Sequence, residues 1–410
     1  MIAGRSRLAK LAKLAKLAKL AGVAVVVGVA VVSSGAARAE GVVRVRPAVS
    51  AEVIYDDGVE LLFEESDPTT RSGGDPVDSV DAGAGSNGSV GFGVDLDASA
   101  AIEAHPFSWL SLQVRPELFT QIFFDRRDTL VVRLSPPLFI QAQLHPKLAL
   151  LLASEYVANF APYRDTFTFH RETATTRLRW TPVARVQLDL QSIERVKVYP
   201  DRVDWDFRSH RFAVAAAVVA NEHVRLSAGW ALQLNSGARA LAAAGSASTG
   251  GPTAEGWQNL VFAGVRLGWA AHLVEVGYQL RVARGGDALA AVDQPLLSPN
   301  GTIEEDIDEL SLGGFDKHIV ELTYDVRLGS RVTGDLYARY SRKRFLALVS
   351  TVDPSQLRDD DVWLVGATVG VRLIRGLELD VRALYHINDS SDPEYTFRNL
   401  ILGIGLRWER

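Results

Sequence analysis

The sequence predicts an all-β fold: a transmembrane, antiparallel up-and-down barrel of about sixteen strands, with short turns at one end and long loops at the other. Three observations predict it. Segments with period-two alternation of apolar and polar residues recur about sixteen times between residues 40 and 410. Trp or Tyr stands near many of the predicted strand ends, as membrane interfaces favour. The chain also begins with the pattern of an export signal. The clearest segment is the last, residues 399–408. Leu400, Leu402, Ile404, Leu406 and Trp408 fall on one face, Gly403, Gly405 and Arg407 on the other.

Residues 1–39 read as a secretory signal peptide, which implies passage through the secretion translocon. Arg5, Arg7, Lys10, Lys13, Lys16 and Lys19 form its basic start, residues 20–32 its apolar core, and Ala37-Arg38-Ala39 its cleavage site, with Ala37 and Ala39 as the small residues. Residues 40–410 remain as the barrel. An alternative for the Leu-Ala-Lys repeat is a retained amphipathic helix lying on a membrane surface. The chain has no Cys, which excludes disulfides, thiolate metal sites and a Cys nucleophile. Mean hydropathy is +0.06, and no apolar run after residue 32 reaches the roughly 20 residues of a membrane helix. A barrel hides its apolarity, because only alternate residues meet lipid. A net charge of −5 offers no basic excess for nucleic acid.

Predicted strands occupy residues 42–55, 88–104, 109–124, 129–144, 147–160, 165–180, 183–199, 204–219, 223–235, 256–269, 272–284, 316–328, 331–345, 361–374, 377–388 and the C-terminal segment. Polar residues 56–87, rich in Asp, Gly and Ser, read as a surface loop. Tight turns such as His105-Pro106-Phe107-Ser108, His145-Pro146 and Gly329-Ser330 alternate with longer loops at 236–255, 285–315, 346–360 and 389–395. The fourth strand is the weakest, because Pro136-Pro137 interrupts it and proline cannot donate to a ladder. An even count puts both termini at the same end, and closure removes the edges that lipid cannot satisfy. Trp109, Trp180, Trp269 and Trp408 stand beside tight turns or the C-terminus, where one interfacial girdle belongs; Tyr278, Tyr340 and Tyr385 lie on the apolar face further along.

Gly403-x-x-Leu406-x-Trp408 resembles the C-terminal assembly signal of Gram-negative bacterial outer-membrane β-barrel proteins. In that family the chain usually ends on the aromatic and carries a polar residue before the glycine; here Glu409 and Arg410 follow, and Ile401 takes the polar place. The resemblance implies a porin-like barrel in the cell outer membrane, with outer-membrane lipid and the barrel-assembly machinery as partners, and names no subfamily. Monomer and trimer both stay open.

Alternation also sorts charges. Inward cations outnumber inward acids, and the long loops carry acidic runs such as Asp56-Asp57, Glu304-Glu305-Asp306 and Asp359-Asp360-Asp361. Rings of Arg favour anions. Arg177, Arg179, Arg225, Arg266, Arg281, Arg327 and Arg372 are therefore the candidate pore-lining charges of a channel for small or anionic solutes or polymers. The competing reading is that these arginines brace the wall by pairing with interleaved acids. A third leaves the barrel plugged, as a surface-binding or envelope-assembly protein. No enzyme is expected, and no cofactor or metal. The eight His residues form no recognisable motif; Ser209-His210 and the Asp359–Asp361 run are the only catalytic candidates, and solvated loop charge is the simpler reading of the latter. Asp75, Asp78 and Asp81 are the best positions for a Ca²⁺ ion.

Overall fold

The computed structural model describes residues 43–56, 91–123, 131–160, 168–198, 200, 207–237, 254–285, 296–297, 303–304, 314–349, 355–393 and 396–409. The predicted signal peptide with Ala37 and Ala39, and Asp75, Asp78 and Asp81, lie outside these residues. Sixteen barrel strands follow in order: β1 (Val43–Asp56), β2 (Gly91–Phe107), β3 in two pieces (Leu110–Val114 and Glu117–Phe123), β4 in two pieces (Val131–Ser135 and Leu138–His145), β5 (Leu148–Phe160), β6 (Phe169–Val183), β7 (Val186–Val198), β8 (Phe207–Val219), β9 (Val224–Gly237), β10 (Ala254–Trp269), β11 (His272–Gly285), β12 (Phe315–Leu328), β13 (Val332–Val349), β14 (Leu357–Ile374), β15 (Leu377–Ser390) and β16 (Phe397–Glu409). Each pairs antiparallel with its sequence neighbours, and β1 pairs with β16, closing the cylinder. A separate two-residue pair, Leu296–Leu297 with Ile303–Glu304, lies between β11 and β12 in sequence.

The alternation has a physical consequence visible in exposure. On β9, Leu226, Trp230 and Leu234 are between 43% and 48% exposed, while Ala231, Gln233 and Asn235 are buried. The same inversion runs round the barrel: the exposed large apolar residues point outward, and the inward set holds Asn, Gln, Ser, Arg, Lys and Asp together with buried apolar residues such as Phe119, Phe169, Phe315 and Ile319. This is the residue distribution of a barrel whose solvent is hydrocarbon outside. Trp109, Trp180, Trp269 and Trp408 are all outward at the turn-bearing end, and Trp109 stacks on Phe107 at 5.5 Å. Toward the loop-bearing end the outward face becomes polar. Tyr156 meets His170 at 2.7 Å, Tyr278 meets His318 at 2.8 Å, and Glu194 meets Arg208.

Three sequence expectations need correction. The β2–β3 turn is Ser108-Trp109, and His105-Pro106-Phe107 continue β2. β3 is interrupted as well as β4, at Arg115-Pro116. The two breaks face each other: Ala100 N–H donates to the Pro116 carbonyl (3.2 Å), and Arg115 N–H donates to the Pro137 carbonyl (3.0 Å). The prolines thus meet the ladder through the carbonyls they retain, and their missing N–H groups fall at one local gap. Finally, residues 357–360 are not loop. They open β14, where Asp359 pairs with Arg342 (2.6 Å) and Asp360 with Arg358 (2.7 Å).

The seam is built by β16. Its inward positions Gly403 and Gly405 leave a trough between β15 and β1. Arg382 of β15 reaches across that trough to Glu52 of β1 (Nε–Oε1 2.7 Å) and to Asp95 of β2 (Nη2–Oδ2 3.5 Å). All three side chains are at most 20% exposed. A Cβ at residue 403 would fall inside the Glu52 carboxylate.

Candidate functional site: the charged lumen

The antiparallel register sets the inward side chains of β6 to β10 side by side. Arg177 is directly opposite Gln191, and Arg179 opposite Asp189; Asp189 is opposite Ala215, and Ala215 opposite Gly229. Arg177 grips Asp189 with two bonds, Nε to Oδ1 at 2.9 Å and Nη2 to Oδ2 at 2.8 Å. Arg179 adds Nε to Oδ1 at 3.1 Å. Gln187 donates to Asp189 Oδ2 at 2.5 Å, and its own carbonyl oxygen accepts from Arg225 Nη2 at 3.2 Å. Two arginines thus share one carboxylate, and a third, Arg225, is joined to it through Gln187. Such fork-shaped pairs hold guanidinium groups rigidly, while the local balance stays positive.

Arg225 is directly opposite Arg266, and Arg266 pairs with Glu275 at 3.0 Å. Arg281 donates to Gln279 at 2.8 Å and, together with Arg195, lies within electrostatic reach of Arg211. Beside these arginines the wall is low. Ala213, Ala215 and Ala217 of β8 face Ala231, Gly229 and Ser227 of β9. The Phe262 ring of β10 fills the place where a Gly229 side chain would stand.

Arg327 and Arg372 are not brought into this network. They sit on β12 and β14 near the turn-bearing end, opposite Thr333 and Glu378 respectively. That part of the wall is richer in acid. Asp325 is opposite Asp335, and Arg407 bridges Glu378 (3.0 Å) and Asp380 (3.6 Å). The lumen therefore has a basic flank, β6 to β10, and a mixed, acid-rich flank, β12 to β15.

Water access differs along the axis. Arg179 and Arg266, in the turn-side half, have side chains 43% and 52% exposed. Toward the loop side, Lys197 and Lys317 are 4% and 5% exposed. Lys197 lies 4.4 Å from the Phe169 ring centroid, and Lys343 lies between Phe315 and Phe345, at 4.6 and 4.4 Å. At this level inward cations are covered by neighbouring side chains, aromatic rings among them.

Arg133, Lys317 and Arg358 are inward cations that the sequence reading missed, and Glu52 and Asp360 are inward acids left out of its charge balance. Each lies near a strand end, in the proline-interrupted strand or, for Arg358 and Asp360, in a predicted loop. For Arg358 and Asp360, carrying the period-two count of the next strand two or three residues back would have found them; Arg133, Lys317 and Glu52 lie within predicted strands. Gly403 is inward at the seam, while Leu406 and Trp408 of the same motif are outward and exposed.

The catalytic candidates come apart. Ser209 points inward and His210 outward, so no proton can pass between them directly; His210 Nε2 meets Ser192 Oγ instead, at 3.0 Å. Asp359 and Asp361 engage Arg342 and Tyr340 on the outer face, while Asp360 is buried on the inner one. Among the described residues, no three His, Asp or Glu side chains are grouped to hold a metal ion.

No family model matches the chain, and no curated protein does. Solved structures do. An anion-selective porin from Comamonas acidovorans is 9% identical, with 90% of this chain and 100% of that one covered and a TM-score of 0.48. OccK2 from Pseudomonas aeruginosa, in complex with glucuronate, is 12% identical over 90% and 97%, with a TM-score of 0.47. OmpT, an outer membrane protein of Vibrio cholerae, is 10% identical over 90% and 98%, with a TM-score of 0.47. The chain's own closed, sixteen-strand, outward-apolar cylinder is porin-like in architecture.

Proposed function

We propose that this barrel is a porin-like outer-membrane channel that passes small anionic solutes along its basic flank. The observation that carries the reading is the network on β6, β7 and β9: Arg177 and Arg179 on the single carboxylate of Asp189, with Arg225 linked to it through Gln187. Fixed guanidinium groups in a wet part of the lumen attract anions without needing to move. The short alanine side chains of β8 beside them leave room for a solute to slide past. The wall-bracing role of the same arginines is part of this reading, since pairing is what holds them in place. Arg281 would act at the more buried level; Arg327 and Arg372, at the turn-side mouth, would contribute less. On this reading the chain matures by removal of residues 1–39, and its residues perform no covalent chemistry.

Planar-bilayer recording tests it. Purified protein should conduct with a permeability ratio favouring chloride over potassium. Charge reversal of Arg177 and Arg179 to Glu should lower that ratio severalfold. A cation preference in the unmodified protein would overturn anion selectivity. Absence of conductance would favour the plugged, surface-binding reading, which the burial of loop-side inward cations supports.

A further inference from the structure

On the outer face at the turn-bearing end, four neighbouring strands enclose a groove of about 490 Å³. Its floor is formed by Leu148 of β5, Leu178 and Trp180 of β6, Leu188 and Leu190 of β7, and Val214 of β8. The register explains why they meet. Leu148 is opposite Trp180, Trp180 opposite Leu188, Leu178 opposite Leu190, and Leu190 opposite Val214. All six occupy outward positions, so the groove opens to hydrocarbon. Asp189 also lines it, but its carboxylate is held on the lumen side by Arg177 and Arg179.

The rim of the groove has the opposite character. The β4–β5 and β6–β7 turns meet there; Lys147 and His145, both exposed, border the groove, and neither turn holds an acid. The turns are tied together: Thr181 N–H donates to the Lys147 carbonyl at 2.8 Å, and Lys147 Nζ donates to the Pro182 carbonyl at 2.8 Å. That last bond uses one of the three ammonium donors and fixes the cation above the groove; two donors remain for a ligand. Trp180, 48% exposed, sits at the level where a ring bridges acyl chain and headgroup.

We propose that this groove is a binding site for one anionic phospholipid of the turn-side leaflet. An acyl chain would lie on the leucines between β5 and β8, and the phosphate would sit under Lys147. Hydrocarbon is the surrounding solvent on this face, which selects an acyl chain as the occupant. The basic rim, with no acidic residue in its two turns, selects an anionic headgroup over a zwitterionic one. The proposal requires the barrel to sit in a membrane but is independent of whether the lumen conducts.

Native mass spectrometry of the full-length protein, released from detergent with added lipid, tests it. The probes are dioleoylphosphatidylglycerol and dioleoylphosphatidylcholine. The unmodified barrel should retain one phosphatidylglycerol at about tenfold lower lipid concentration than phosphatidylcholine. Lys147→Glu should erase that preference, and Lys147→Ala should weaken it. Val214→Trp should reduce retention of both lipids, whereas Val365→Trp, outward on β14, should leave retention unchanged. Heat-modifiable gel migration checks that each variant is folded, and Leu190→Phe replaces Val214→Trp if the latter does not fold. Equal retention of the two lipids by the unmodified protein, or unchanged retention in the Lys147 and groove-filling variants, would overturn the site. Conductance does not enter this readout, so a closed lumen would leave the result intact.

Discussion

At the scale of the residue, two turn positions show what local geometry demands. Ala270, in the β10–β11 turn, has φ of 49°, a left-handed conformation that a Cβ makes unfavourable. That conformation costs an L-residue roughly 1–2 kcal/mol, partly offset in any Gly substitution by about 0.4–1 kcal/mol of extra unfolded-chain freedom. Ala270→Gly should therefore stabilise the folded barrel by about 0.5–1 kcal/mol, read as a raised urea midpoint in lipid vesicles; a lowered midpoint would count against the strain. Gly376, with φ of 80°, occupies the corresponding place between β14 and β15, and a Cβ there would come 2.5 Å from the Glu409 carbonyl. Gly376→Ala should lower the same midpoint, because it adds both strain and a clash where the C-terminal strand docks.

At the scale of the element, β16 does two jobs that its motif alone does not separate. Its outward residues Leu406 and Trp408 face lipid, and its inward glycines leave the trough crossed by the Arg382–Glu52 ion pair. Gly403→Ala should slow refolding into detergent micelles, where no assembly machinery is present, because the new methyl displaces Glu52. Adding Glu52→Ala makes room and should restore much of the refolding rate. If Gly403→Ala refolds normally in micelles, the glycine matters for recognition during assembly and not for the seam. Even with the rescue, Arg382 would keep Asp95 as a partner at 3.5 Å, so the double variant does not strand a buried charge.

At the scale of the whole molecule, the lipid and lumen faces set opposite tolerances at adjacent residues. Val276 is outward and 43% exposed; Gly277 is inward, and its nearest side-chain neighbour is Glu321. Val276→Arg should cost about 2–4 kcal/mol, the range for a cation on the lipid face of a barrel near mid-bilayer. Gly277→Arg should fold with little loss, because it gains Glu321 as a partner. Comparing unfolding midpoints of the two variants checks the assignment of faces, and equal losses would contradict it.

Much of this organisation was legible in the chain. The period-two pattern is a property of each strand taken singly, so it specified strand number, face and the aromatic girdle; the even count put both termini at one end, and lipid's intolerance of open edges required closure. Its errors fell at strand ends, as with Arg358, Asp360 and His105-Pro106-Phe107, where pairing to a neighbour extends a strand beyond its own pattern. What alternation could not supply was adjacency across the sheet. That Arg177 and Arg179 grip one aspartate while Arg225 reaches it through Gln187, that His210 meets Ser192, and that Leu148 and Val214 border one groove depend on register and closure. Those relations join residues far apart in sequence, and only the folded cylinder brings them within a few ångströms of each other.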